Sequence, residues 1–341
     1  MPTLDIENPD ALAAYLRATG HIDPDEQPRL TTLAGGVSNR TVLVERPNGD
    51  AWVIKQALEK LRVQVDWFSS PERIHREALG LRWLVELAPP GTITPLVFED
   101  FDAHLLAMQA VPQPHANWKS LLLSGLLKLD HVRQFAELLA AIHANAYRRR
   151  DELAPAFDDP SFFISLRIEP YYAYTAQQAP EAAGFLNALI EDTLAQRLTL
   201  VHGDYSPKNI LVHDERLILL DHEVIHWGDP AFDLGFSLTH LLSKAHHLLE
   251  HRAAFAAAAN YYWQVYALAL GYLPWTDDLE RRAARHTLAC LLARVAGRSP
   301  LEYLDSEERE RQRAAVLAII AQPPTSIATL VDQFLHELDN R

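Results

Sequence analysis

The chain of 341 residues has a single cysteine, Cys290, and only two methionines. One cysteine excludes an internal disulfide, a cysteine-based zinc site and a Cys-x-x-Cys redox pair. Cys290 stands in the apolar stretch Leu288–Leu292, where a lone thiol reads as a small core residue rather than a nucleophile. No run of 18 or more apolar residues occurs, so no helical membrane span is expected. Met1–Asp10 is acidic and lacks the basic-then-apolar pattern of a secretory signal. A cytoplasmic location is the expectation. Basic residues are in the minority, 31 Lys and Arg against 45 Asp and Glu, for a formal charge of −14. A nucleic-acid partner would need a concentrated basic surface. The short runs Arg148–Arg150 and Arg281–Arg282 read instead as solvated helix faces. With 48% hydrophobic and 22% charged residues, the composition is that of a globular chain able to bury a large core.

The N-terminal third is rich in strand signals. Asn8-Pro9 predicts a capped helix running to about Thr19. Leu30–Ala34, Thr41–Arg46 and Ala51–Ala57 read as strands, with Gly35-Gly36 between the first two and the turn Pro47-Asn48-Gly49-Asp50 between the others. A helix follows over Pro71–Leu87, then two short strands at Thr94–Glu99 and His104–Val111. Pro112 and Pro114 mark a change in composition. Beyond them helical periodicity dominates, with helices expected from Asp130, over Glu181–Arg197, Asp233–His251, Ala253–Leu270, Asp277–Ala296, Ser306–Ala321 and Ile327–Leu338. Three short apolar runs, Leu198–Val201, Ile210–Val212 and Leu217–Leu220, interrupt them. The expected fold class is α+β and bilobal: a small β-rich lobe over residues 1–112 and a larger helical lobe over 113–341. Ligand sites favour the cleft between such lobes.

The densest chemistry lies in Val201-His202-Gly203-Asp204-Tyr205-Ser206-Pro207-Lys208-Asn209, followed by Leu220-Asp221-His222-Glu223. Strand–loop–strand geometry would bring Asp204, Asn209 and Asp221 to one end of a small hairpin. Phosphoryl transfer calls for such a set, a carboxylate to orient a hydroxyl and oxygen ligands for Mg²⁺. A single loop aspartate is usually a turn residue. The Asp204–Asn209 spacing, however, equals that of the kinase loop H-R-D-x-x-x-x-N, with glycine in place of arginine. Ala34–Asn39, which includes Gly35, Gly36, Ser38 and Asn39, could let backbone N–H groups approach phosphate oxygens. Lys55, in the apolar strand Val53-Ile54-Lys55, needs an anionic partner.

These motifs resemble those of the aminoglycoside phosphotransferase and choline kinase superfamily, over about Leu33 to Leu304. The resemblance implies a protein-kinase-like fold. It implies ATP and Mg²⁺ as cofactors and a small-molecule hydroxyl acceptor as partner. Asp204 would be the catalytic base, Asn209 and Asp221 would hold Mg²⁺, and Glu223 would hold a second metal or its water. Asp233 would brace the catalytic loop. Lys55 would meet the nucleotide phosphates and pair with Glu77, with Glu72 and Glu86 as alternatives. Met108–Val111, including Gln109 and Val111, would form the hinge that meets adenine. Asp229 would close the substrate side or cap the next helix.

Only twelve positions separate Asp221 from Asp233, too few for the peptide platform of a protein kinase. The acceptor is therefore expected to be a sugar, an aminoglycoside or an amino alcohol. Lys55–Leu58, Leu61–Val63 and Trp67 are similar to the corresponding stretch of methylthioribose kinases, as is Arg294-Val295-Ala296-Gly297. That similarity gives Arg294 a place at the substrate, against its plain reading as a salt-bridged helix arginine. The competing expectation is a catalytically silent nucleotide-binding module. His240, His247 and His251 share helical spacing but read as a polar helix face.

Overall fold

The structure is a computed structural model that describes residues 4–33, 38–62 and 68–341. Helix α1 (Pro9–Ala18) begins where Asn8 accepts hydrogen bonds from the N–H groups of Asp10 and Ala11, both at 3.1 Å. Strands β1 (Arg29–Thr32), β2 (Asn39–Glu45), β3 (Ala51–Ala57), β4 (Leu96–Asp100) and β5 (Leu105–Gln109) form one antiparallel sheet in the order β1-β2-β3-β5-β4. Helix α2 (Arg73–Leu87) connects β3 to β4.

Alternation along β3 sorts the two faces. Trp52 and Ile54 join Val42, Val44, Leu105 and Ala107 in a core closed by Leu12 and Leu16 of α1. The opposite face carries Leu106 and Met108 into the main core with Ile74, Ala78 and Leu81 of α2. Lys55, one residue from Ile54, is sent to the α2 side.

The rest of the chain is mainly helical. Strand β6 (Ala116–Asn117) leads into α3 (Trp118–Leu123), α4 (Leu129–Arg148) and α5 (Arg150–Ala156). Helix α6 (Ser161–Phe163), a wide-turn π-helix (Ile164–Ala173) and α7 (Tyr174–Gln178) run end to end, then α8 (Ala183–Ala195) follows. Strands β7 (Thr199–Val201), β8 (Ile210–His213), β9 (Arg216–Leu219) and β10 (His226–Gly228) carry the site. Strands β6, β8 and β9 make one small sheet, and β7 and β10 another. Helices α9 (Pro230–His247), α10 (Arg252–Leu270), α11 (Leu279–Ala296), α12 (Ser306–Ile320) and α13 (Ile327–Asp339) complete the lobe.

The fold class expected from the sequence is found, with local differences. Helix α9 starts at Pro230, not Asp233, because Asp229 caps it by accepting from Ala231 N–H at 3.0 Å, and a proline is suited to the first helical position. The π-helix contains Pro170, which has no N–H to give, and a wide turn accommodates that loss. Apolar periodicity at 3.6 residues does not reveal such a segment. Cys290 is fully buried and receives a contact from Tyr172 Oη at 3.3 Å, and burial pushes its thiol up to about 12. It is a core residue, as expected. No helix among the described residues is long and apolar enough to cross a membrane.

Helices α9 and α11 meet through Gly235. A Cβ there would lie 2.4 Å from His286 Cβ and 2.6 Å from the Thr287 nitrogen, the latter a backbone atom that cannot rotate aside. Gly235→Ala is expected to lower thermal stability, with an overpacking cost of about 1–3 kcal/mol. An unchanged melting temperature would show that the two helices separate freely.

Candidate active site

Strand β7 delivers the chain into the loop of residues 202–209. Gly203 has φ 77°, a left-handed conformation, and a Cβ on it would meet Val224 Cγ2 at 2.9 Å and Val224 O at 3.1 Å. Glycine is needed there on both counts. Asp233, fully buried on α9, accepts from His202 N–H at 2.7 Å and from Gly203 N–H at 2.8 Å. His143 lies 3.3 Å from the same carboxylate and 2.7 Å from Tyr266 Oη. This is the bracing the sequence suggested for Asp233: one carboxylate satisfies two loop amides that would otherwise be buried unpaired.

Asp204 follows directly. Its Oδ2 accepts from Asn209 Nδ2 at 2.6 Å and pairs with Arg167 Nη2 at 2.9 Å. Asn209 Nδ2 also donates to the Asp204 carbonyl at 3.0 Å, which leaves its amide oxygen as the atom for a cation. Leu220 N–H donates to the Asn209 carbonyl at 2.9 Å and joins the two ends of the β8–β9 hairpin. Asp221 is next, at φ 68°. A non-glycine residue in that region is sparsely populated, and such outliers cluster at functional sites.

Lys55 spans the cleft. Its Nζ lies 2.6 Å from Glu77 Oε1 on α2 and 3.0 Å from Asp221 Oδ1. Glu77, rather than Glu72 or Glu86, is the partner. Burial pushes the Glu77 carboxyl up to about 7 despite Lys55. Burial also acts to raise Asp221, but Lys55 and Lys208 outweigh it and hold that carboxyl below its ordinary range. Burial would lower Lys55, yet Asp221 and Glu77 together keep its ammonium well above the usual value.

Two arginines complete the site, and sequence reasoning did not find either. Arg73, fully buried at the start of α2, donates to the carbonyls of Ser69 and Ser70 at 3.0 Å and of Leu58 at 2.8 Å, and also to that of Ser38. It pairs with Glu223 Oε2 at 3.1 Å, an atom that Asn39 Nδ2 approaches at 3.5 Å. Glu223 is thus tied to the N-terminal lobe. Ser38 and Asn39 are both buried at the entry to β2. Gly35 and Gly36, like Val63 and Trp67, lie outside the described residues. Arg167, on the π-helix, donates to Gly203 O at 2.8 Å besides holding Asp204. A distant segment thus supplies the loop with a cation beside Asp204.

Other expected site residues sit further from this network. Gln109 ends β5, exposed, its N–H given to the Pro95 carbonyl at 2.9 Å, and Val111 follows, buried. Asp229 is only 2% exposed; it caps α9 and forms an ion pair with Arg282. Of its two readings, the structure places it in the cap. Arg294 is 8% exposed, donates to Ser299 O at 2.9 Å and stacks over Tyr171 and Phe236. Among the described residues no carboxylate lies within 4 Å of it, so it is not a salt-bridged surface arginine. His240, His247 and His251 do not converge: His240 meets Arg294, His247 meets Glu308, and His251 lies beyond the helix end.

The buried imidazoles make the loop acid-sensitive. His226 donates Nδ1–H to the Val224 carbonyl at 3.0 Å and stacks on Phe163, and burial lowers it from 6.5 to about 4. The unfolded chain binds a proton that the folded chain refuses, so stability is full above pH 6.5 and is lost as pH falls towards 4. The loss is expected to be on the order of 3 kcal/mol, seen as a falling melting temperature between those limits. His226→Gln should flatten the profile; a wild-type melting temperature constant over that range would contradict it.

The sequence profile of the family described as "Phosphotransferase enzyme family" matches residues 29–269. The chain belongs to this family. A methylthioribose kinase of Enterobacter sp. (strain 638) is 24% identical over 216 residues, which are 56% of this chain and 53% of that protein. The match thus spans about half of that curated relative. Two solved structures share the fold. A choline/ethanolamine kinase family protein from Mesorhizobium loti superposes with a TM-score of 0.57 at 16% identity, covering 97% of this chain and 99% of its own. An amicoumacin kinase in complex with AMP-PNP, Ca²⁺ and its ligand gives 0.56 at 13% identity, covering 92% and 94%. The five-stranded sheet with a helical C-terminal part is accordingly the kinase-like fold of this phosphotransferase family.

Proposed function

We propose that the chain is an ATP-dependent small-molecule kinase that transfers the γ-phosphoryl group to a hydroxyl of its acceptor. The observation that carries this reading is the single network Glu77–Lys55–Asp221 beside Arg167–Asp204–Asn209, linked by the Leu220–Asn209 hydrogen bond. A structural hairpin has no need of three acids and a buried lysine, which cost desolvation. The amicoumacin kinase, with AMP-PNP bound, supports a nucleotide between the lobes.

The donor set fits a hard divalent cation. Asp221 offers a carboxylate held ionised by Lys55, and Asn209 offers a neutral amide oxygen. Those two residues would hold Mg²⁺, with Glu223 beside them tied to Arg73. When bound, the ion neutralises the phosphate charge that develops during transfer. Lys55 is placed to contact the phosphates, and Glu77 keeps its ammonium aimed. Asp204 receives the acceptor hydroxyl and orients its oxygen for in-line attack. Arg167 and Asn209 fix the Asp204 carboxylate in one rotamer, so the base needs no reorganisation. Ser38 and Asn39, buried at the entry to β2, belong to the same nucleotide-binding set. Beyond Gln109, whose N–H is taken by Pro95, the backbone at Val111 would meet adenine. The acceptor class is a sugar, an aminoglycoside or an amino alcohol, and the methylthioribose kinase relative favours a sugar. Cytoplasmic ATP would supply the donor.

Coupled ADP release over a panel of hydroxyl compounds tests this reading. Acceptor-dependent ADP formation that requires Mg²⁺ is expected. AMP-PNP binding with no transfer to any acceptor would favour a silent nucleotide-binding module.

A further inference from the structure

Close to Arg167, the partner of Asp204, lie two cations, Arg294 and Lys244, that no carboxylate among the described residues approaches within 4 Å. Arg167, which holds Asp204, and Arg294 face the same two rings: Tyr171 and Phe236 lie 5.9 and 6.0 Å from the first guanidinium and 4.9 and 5.1 Å from the second. Arg294 Nη2 donates to His240 Nε2 at 3.3 Å. Lys244, one helical turn on and fully buried, donates to the His240 carbonyl at 3.2 Å. Lys119 stands across Tyr303, whose ring is 6.0 Å from its ammonium and 5.4 Å from that of Lys244. The acid facing this group is Glu302, which is paired with Lys119 and has a mostly exposed side chain. Among the described residues, no carboxylate comes within 4 Å of Arg294 or Lys244.

The hydroxyls of Tyr303 and Ser243 in this cluster can donate or accept, but Arg294, His240 and Lys244 share one character. Arg294 Nε–H is buried without an acceptor. His240 accepts at Nε2, so its proton is on Nδ1, and that atom is also buried and unpartnered. Lys244 has three N–H bonds and one acceptor within reach. All of them are donors. Leaving buried donors and cations unsatisfied costs stability. A group rich in acceptors and negative in charge would satisfy them together. Burial and Lys119 lower Lys244 to about 7, which marks how poorly the folded chain alone supports its charge. Lys208 of the catalytic loop acts electrostatically on both Asp221 and His240, which ties the cluster to the reacting centre.

We propose, on the strength of the kinase reading above, that the acceptor carries an anionic group, a carboxylate or a phosphate ester, which Arg294 receives with His240 and Lys244 behind it while Asp204 receives the hydroxyl. Sugar acids and sugar phosphates have this chemistry. Aminoglycosides and amino alcohols do not, because their cations would meet Arg294 and Lys244 head on. The overall charge of −14 says nothing against it, since the site is a local reversal of that sign.

The test uses inorganic phosphate and D-gluconate as probes on the full chain saturated with AMP-PNP and Mg²⁺, so that the nucleotide site is filled. Thermal shift and calorimetry are read for wild type, Arg294→Gln and Lys244→Met. Both anions are expected to stabilise wild type, with at least a tenfold weaker Kd in each variant, while choline gives no shift. Lys244→Met without anion should melt higher than wild type, as expected when a buried cation without an acid is removed. Absence of any anion effect on wild type, or an equal effect in Arg294→Gln, would overturn the proposal and leave the kinase reading standing. Failure of AMP-PNP itself to bind would bring down the kinase reading instead. Turnover then separates the two sources: gluconate against sorbitol for a carboxylate, ribose 5-phosphate against ribose for a phosphate ester.

Discussion

Asp204→Asn is expected to reduce kcat by ~10²–10⁴-fold, the usual contribution of a positioned general base, with the fold and AMP-PNP affinity retained. The substitution keeps the shape of the side chain and its contacts to Asn209 and Arg167. It removes the charge that, in the proposed reading, would orient the hydroxyl. Steady-state ADP release, circular dichroism and AMP-PNP calorimetry on one preparation check the three parts of this expectation. Turnover within a few-fold of wild type would assign the base elsewhere.

Lys55→Met should affect both stability and catalysis, and the two can be separated. Glu77 is completely buried and Lys55 is its cation. Removing one partner of a buried pair leaves an uncompensated charge and costs about 3–5 kcal/mol. In the proposed reading the same lysine would contact phosphate oxygens, and losing such a group typically lowers turnover ~10²–10³-fold. Adding Glu77→Gln to Lys55→Met should recover part of the melting temperature, because the fully buried Glu77 carboxylate is no longer stranded and only the partly exposed Asp221 has lost its cation, and none of the turnover. Recovery of turnover in the double variant would mean that Lys55 serves only to neutralise Glu77.

The parts of the site that were legible in the sequence are those set by short-range spacing. Asp204, Asn209 and Asp221 lie on one hairpin, and the loop and turn residues between them determine their meeting. Lys55 was legible because strand alternation opposes it to the buried Ile54. Arg73 and Arg167 were not, for a common reason. Each is an arginine in a helical segment, indistinguishable by pattern from a solvated one. Their partners Glu223 and Gly203 are 150 and 36 positions away. Asp229 had two readings that local sequence could not separate; the Ala231 N–H that it accepts makes it the cap, and Arg282, 53 positions on, pairs with its charge. From the sequence α9 is expected to start at Asp233, whereas the Asp229 cap lets Pro230 open it, and no element is expected around Pro170, because a periodicity of 3.6 residues does not reveal a wide turn.

The proposed convergence of Asn209 and Asp221 on one divalent cation is tested most directly by electron paramagnetic resonance of Mn²⁺, used in place of Mg²⁺, titrated into the chain with and without AMP-PNP. Tight binding that depends on AMP-PNP is expected for wild type. Asn209→Ala and Asp221→Asn should each weaken it by at least the ~10–100-fold that loss of an outer-sphere partner alone produces. Mn²⁺ binding equal to wild type in both variants would contradict the account.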